Sequence, residues 1–457
     1  MEKNILFDIV NKKSDLCNEI CQFLWNNPEI GGYERTAPEY LIGLFEKNGF
    51  KIYREERMPN AFYAEYGSGQ PVIGILGEYD ALKGLSQKVQ DTKEPVDPEH
   101  PEAAGHGCGH NLLGAAGVIA ALALKEAIDD GTEGTVRFYG CPEEELLCGK
   151  VKMVHYHMFD GCEFGLTWHP NFLNKVHDEA YLANASVRFH FHGVTAHAAV
   201  APEKGRSALD AAELIGVGSN YLREHVIDKA RIHYTTDSGN LPPNVIPDKA
   251  TSWYYVRAPH MTDVQAILKR LYKIAEGAAL MTETTVDIEV DSGCCELKST
   301  KTFTDLTYTN LVEAGNVQYT EEEMEFAEKI KNSLDAAGVE RFKKMTGVDT
   351  PIHTDVMYRD FDTVFRPVAS SDVGDVSQIM PVNIFTIATW PMACMAHTWQ
   401  ATASSGSSIG VKGALYAART MVGTAYDLMT DKKLADKITK EFEAQKNDDY
   451  RPMLKNI

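Results

Sequence analysis

The residues able to do chemistry crowd into a few short stretches. The densest is His106-Gly107-Cys108-Gly109-His110-Asn111. Thiolate and imidazole are good ligands for zinc and similar divalent ions. Glycines between them let the backbone turn so that alternate side chains converge. Three ligand-type residues in five positions favour a metal site over a glycine-rich turn with incidental histidines. A second chemistry stays open, with Cys108 as nucleophile and His110 as its base, although no third orienting group is evident. Glu143-Glu144-Glu145 follows the segment TVRFYG and a proline. A charge run is ordinarily a solvated face. At the end of an apolar strand, however, adjacent carboxylates can divide labour, one holding a metal and the other moving a proton. His169 closes EFGLTWH, and His397 lies in MACMAHTW. Each alone is as well explained by structure. Together, one Cys, three His and one or two Glu suffice for a dinuclear site with positions left for water and substrate.

These residues need elements to hold them. FYAEYG (62–67), VIGILG (72–77), TVRFYG (135–140), CEFGLTWHP (162–170) and NIFTIATW (383–390) read as short, buried strands. Residues 13–26, 36–48 and 318–339, the apolar stretch after His110 and the C-terminal stretch from about 406 read as helices. CPEEELLCGK reads as a loop. This alternation predicts an α/β domain with a largely parallel sheet. Open sheets of that kind build sites at the strands' carboxyl ends. Between 184 and 297 the pattern becomes β-α-β-β-α-β, a self-contained two-layer α+β, ferredoxin-like module. The expected organisation is one catalytic domain from 1–183 and 298–457, with 184–297 inserted.

Composition bounds the function. The 457 residues include 45 Lys+Arg against 65 Asp+Glu, a formal charge of −20. Such a chain is a poor candidate for nucleic acid or anionic membranes. The longest nearly apolar run, Leu112 to Leu124, is 13 residues, short of the roughly 20 a membrane span needs. The N-terminal stretch has no signal-peptide pattern. The nine irregularly spaced cysteines read as reduced thiols of a cytoplasmic protein.

GEYDAL (77–82), HGCGHN (106–111), PEEE (142–145), WHP (168–170), GVTAHAA (193–199), NVIPD (244–248), SSDVGDVS (370–377) and His397 occur in order along nearly the whole chain. In this the sequence resembles the aminoacylase/carboxypeptidase metallopeptidase family. It is closest to the branch of indole-acetyl-amino-acid and hippurate amidohydrolases, and within it to enzymes that cleave aminobenzoyl-glutamate. The resemblance implies a mixed-sheet dinuclear metallopeptidase domain with an inserted dimerisation/lid domain. It implies two divalent ions, Zn or Mn, held at Cys108, His110, Glu145, His169 and His397, with Glu144 as general base. Glu143 stands where the family commonly has Ala and is expected to be a spectator. Glu78 stands where distant members carry the His of His-x-Asp and is given no ligand role, while Asp80 is expected to orient a ligand imidazole. His197 is expected to reach across a homodimer and polarise the scissile carbonyl in the partner's site. Asn244 and Arg257 are expected to hold the substrate carboxylate. The implied substrates are N-acyl or N-aroyl amino acids or dipeptides, p-aminobenzoyl-glutamate foremost, and a second subunit type is a further expectation. The competing classes are a non-catalytic metal or peptide binder of the same fold and a cysteine hydrolase.

Overall fold

Val72–Glu78, Gly134–Cys141, Phe164–Asn171 and Val382–Ala388 are buried at almost every position. That is what a parallel strand covered on both faces requires. The computed structural model, which describes residues 1–176, 181–357 and 369–455, places these four side by side and parallel. Met58–Ser68 and Lys51–Glu55 extend the sheet antiparallel on one side. Asn174–Val176 and Val356–Met357 extend it on the other, completing eight strands.

The helix His110–Asp129 lies against this sheet and against the helices Ser14–Asn26 and Ser408–Thr430. Its close approach depends on Gly114, where a Cβ would sit 2.7 Å from the carbonyl oxygen of Glu78. One turn earlier stands His110, so the same contact brings that imidazole to the strand's carboxyl end. This helix is long and apolar enough to cross a membrane by length and composition, which the 13-residue run did not announce. Yet 83% of its apolar window is buried within the protein, so its apolarity serves core packing.

Two compact units divide the chain. The smaller contains Ala183–His192, Ala208–Leu222, Arg231–Asp237, Lys249–Ala258, Met261–Met281 and Thr285–Cys294. This is the expected β-α-β-β-α-β succession. Its antiparallel sheet runs second, third, first, fourth, the ferredoxin-like order. Period-2 alternation is visible in Ala183–His192, where Val187, Phe189 and Phe191 are buried under the two helices.

The stretch 298–457, expected to lie wholly in the larger domain, is shared. Residues 369–375 and 449–455 group with the smaller unit. Met453–Leu454 pairs with Thr285–Cys294 as a fifth strand, a two-residue strand too short to show any period. The helix expected over 318–339 is two helices, Glu321–Asn332 and Ala336–Thr346. A side-chain cap by Asp335 starts the second.

Candidate metal centre

The larger unit brings seven of the predicted residues together: Asp80, Cys108, His110, Glu144, Glu145, His169 and His397. All come from the carboxyl ends of the parallel strands or the turns that follow. Glu78 ends its strand, and Asp80 sits in the bridge just after it. His110 is the first residue of its helix, preceded by Gly109 at φ +76°, where a Cβ would meet Pro170 at 2.8 Å. Only glycine takes that left-handed conformation cheaply. Non-glycine residues on the site's turns are also left-handed, among them Glu143 (φ 60°), Leu147 (φ 54°) and His397 (φ 64°). Such strain persists where surrounding contacts hold it. The His397 N–H donates to the Gly107 carbonyl at 2.8 Å, tying MACMAHTW to HGCGHN.

Cys108 Sγ lies 3.4 Å from His169 Nε2. His397 Nε2 lies 3.3 Å from Glu145 Oε2. Cys108, His110 and His169 form one group whose ligand atoms lie within 4.8 Å of one another; Cys108, Glu145 and His397 form a second. Cys108 is common to both. Asp80 stands behind them. One of its oxygens pairs with His110 Nδ1 at 2.8 Å, and the other accepts the Glu145 N–H at 2.9 Å. His169 Nδ1 is likewise fixed on the Pro170 carbonyl at 2.7 Å. Both rings therefore turn Nε2 toward the cluster.

Residues 183–282 match the peptidase dimerisation domain of the M20 family. The chain is 40% identical to a chain of the p-aminobenzoyl-glutamate hydrolase of Escherichia coli strain K12, over 95% of this chain and 94% of that one. The chain belongs to the M20 peptidase family. It is 27% identical to the Xaa-Arg dipeptidase of Mus musculus, over 95% of this chain and 91% of that one. A dinuclear metal-binding M20 peptidase of Bacillus subtilis shares the fold, with a TM-score of 0.56 at 16% identity over 90% of this chain and 98% of that one. M20 peptidases cleave amide bonds, and this chain is an amide-bond hydrolase.

The donor set suits the two metal ions of an M20 peptidase. Buried Glu78 Oε2, His110 Nε2 and Glu145 Oε1 have no hydrogen-bond partner among the described residues. Orphaned buried polar atoms are costly, and a cation facing them removes the cost. Without one, burial pushes the Cys108 thiol well up, with the Glu145 charge adding to it. Burial works to lower His110, but its pairing with the Asp80 carboxylate helps hold the imidazole well above its usual range. Metal binding would displace both protons. A thiol held protonated is also a poor free nucleophile, which weakens the cysteine-hydrolase reading. His106 Nε2 is spent on the Leu24 carbonyl at 3.0 Å, and burial pushes it down to about 3, with His110 adding to the effect. It is a neutral core histidine.

Glu143, the expected spectator, is held by structural contacts. It is buried and ion-paired to Lys152, with Asn60 at 3.2 Å, and its N–H donates to Glu34 at 2.8 Å. The segment read as a loop after Pro142 holds a turn at Glu144–Leu146 and the helix Gly149–His155. That helix supplies Lys150, fully buried and 2.7 Å from Glu78. Lys150 was not marked by residue pattern, because a seven-residue helix beginning with glycine shows too little period.

In the smaller unit, exposed His197 bridges to Val245, and the Ala198 N–H donates to the Asn244 carbonyl at 3.0 Å. GVTAHAA and NVIPD are thus paired segments. Arg257 lies near the end of Lys249–Ala258, 3.4 Å from Ser370 of SSDVGDVS, and its buried Nε has no hydrogen-bond partner among the described residues.

Proposed function

We propose that this chain hydrolyses the amide bond of p-aminobenzoyl-glutamate, working in the cytoplasm as a homodimer with a second type of subunit. The observation that carries the reading is the 40% identity over 95% of the chain, joined to a complete donor cluster. Zinc or manganese bound at the cluster would supply carbonyl polarisation and a water of lowered pKa. Cys108, His110, Glu145, His169 and His397 hold the ions. Glu144 accepts the proton of the attacking water and returns it to the leaving amine. Asp80 fixes the His110 tautomer that leaves Nε2 free to ligate. His197 donates to the scissile carbonyl in the partner's site, and Asn244 and Arg257 grip the substrate carboxylate. For a chain of charge −20, the metals and Arg257 make the site locally positive toward an anionic substrate.

The test is hydrolysis of p-aminobenzoyl-glutamate against hippurate and simple dipeptides, with Zn²⁺ and with Mn²⁺. A kcat/KM highest for p-aminobenzoyl-glutamate supports the reading. Preference for dipeptides ending in arginine would favour a dipeptidase, the reading to which the mouse relative points. Bound metal with no turnover on any amide would favour the non-catalytic binder.

A further inference from the structure

Glu78 and Lys150 are both buried at the metal centre, yet neither takes part in the chemistry proposed for it. Lys150 Nζ lies 2.7 Å from Glu78 Oε1. The other oxygen, Oε2, has no hydrogen-bond partner among the described residues and stands 3.3 Å from His110 Nε2. That nitrogen is itself unpartnered among the described residues. With Nδ1–H donated to Asp80 at 2.8 Å, Nε2 of the neutral ring carries a lone pair. Glu144 Oε2 lies 3.9 Å from the same nitrogen. Glu78, His110 and Glu144 form a third group of convergent donor atoms within 4.8 Å.

Once metal binding displaces the His110 proton, Glu78 Oε2 and His110 Nε2 face each other as two buried acceptors that repel and have lost their water. A cation between them relieves both costs. We propose that Glu78 is a further metal ligand of this centre, presented through Oε2 and held in place by Lys150 on Oε1. The inference rests on the reading that the centre binds two metals. It adds a carboxylate, a good zinc ligand, beside His110, and Lys150 balances the added charge so that the buried pair stays neutral. The resulting centre is unequal. Glu78 would add a donor on the His110 side, where it converges with His110 and Glu144, and no such addition falls beside His397. His397 is also the open side of the cluster, with its side chain 55% exposed, where water and substrate have access.

The experiment is zinc binding by the full chain, by chelator competition and elemental analysis, on wild type, Glu78→Gln and Glu78→Gln/Lys150→Met. The double variant removes both buried charges and leaves neither unpaired, so it carries the test should Glu78→Gln fail to fold. Wild type should hold two zinc ions. Both variants should hold one as tightly as wild type and the other at least about 10²-fold more weakly, as loss of a ligand should exceed the 10–100-fold effect of a supporting residue. The double variant should recover the melting temperature of metal-free wild type without recovering the second ion. A double variant that binds both ions with wild-type affinity makes the pair a structural ion pair and overturns the proposal. A wild type that binds no zinc or manganese overturns the metal reading itself, which is a different result. With Co²⁺ as probe, the d–d bands of one site should shift in both variants, and an unchanged spectrum also overturns the proposal.

Discussion

Replacing Asp80 by Asn changes one atom in a fully buried position and strikes two of the proposed ligands together. Asp80 accepts from His110 Nδ1 at 2.8 Å and from the Glu145 N–H at 2.9 Å. An asparagine has one acceptor oxygen. Turned toward His110, it leaves its NH₂ facing the Glu145 N–H, donor against donor. Turned the other way, its NH₂ donates to His110 Nδ1. The ring's hydrogen then moves to Nε2, and the atom that should ligate is blocked. Either arrangement gives up a hydrogen bond to a charged acceptor, about 1.5–3 kcal/mol. That agrees with the 10–100-fold loss of metal affinity found on removing a supporting carboxylate. Asp80→Asn should therefore bind zinc 10–100-fold more weakly by calorimetric titration, with activity falling in parallel at limiting metal. Because the defect is in affinity, a hundredfold excess of free metal should restore much of the turnover. Zinc affinity within threefold of wild type would show that Asp80 does not orient His110.

Glu144→Gln should keep its metals and lose about 10²- to 10⁴-fold in kcat, since an amide cannot take a proton from water; rescue by added metal would count against that role. Glu143→Gln should instead lower the melting temperature through the weakened Lys152 and Asn60 contacts and leave kcat nearly intact, so equal kcat losses at both positions would undo the assignment. Mixing His197→Ala with Glu144→Gln and confirming subunit exchange should return roughly a quarter of wild-type activity if His197 acts in the partner's site, because about half the dimers are hybrids with one complete site; no recovery would place His197 in its own chain's site. Burial, with Asp372 adding to it, pushes Asp375 up to about 7, against the donors Tyr450 and Cys295. The folded state keeps that proton while the unfolded chain releases it near pH 4, so this residue's contribution to stability declines as pH rises from about 4 to about 7 and is flat above. Asp375→Asn should gain in melting temperature relative to wild type across that window, and a constant difference would refute the shift.

What the sequence made legible follows from how far each signal reaches along the chain. Continuous apolar strands and a ligand-rich turn are local, so the parallel sheet and the pair Cys108 and His110 could be read directly, whereas His169 and His397, ambiguous alone, stood out only within the ordered set of family motifs. The alternation of Val187, Phe189 and Phe191 with Arg188, His190 and His192 gave away the smaller sheet in the same way. Met453–Leu454 escaped because its whole justification is its partner Thr285–Cys294. Lys150 escaped for a similar reason: a lysine in a polar segment looks solvated, and only the end of a distant strand makes it a buried counter-ion.

The acidic tripeptide shows where residue pattern stops carrying information. Glu143, Glu144 and Glu145 are chemically identical and adjacent, yet each faces a different partner. Glu143 turns to Lys152 and Asn60, Glu144 toward His110, and Glu145 toward His397. In a helix or strand, neighbouring residues diverge by a fixed angle that a periodic pattern reveals. Here the divergence comes from left-handed backbone at Glu143 and Leu147 on either side of a single tight turn. That geometry is imposed by Glu34 holding the Glu143 N–H and by Asp80 holding the Glu145 N–H. Asp80 thus sets the aim of a carboxylate and of an imidazole from one side chain. For that reason a substitution at Asp80 should disturb the centre more than its lack of any direct ligand role would suggest.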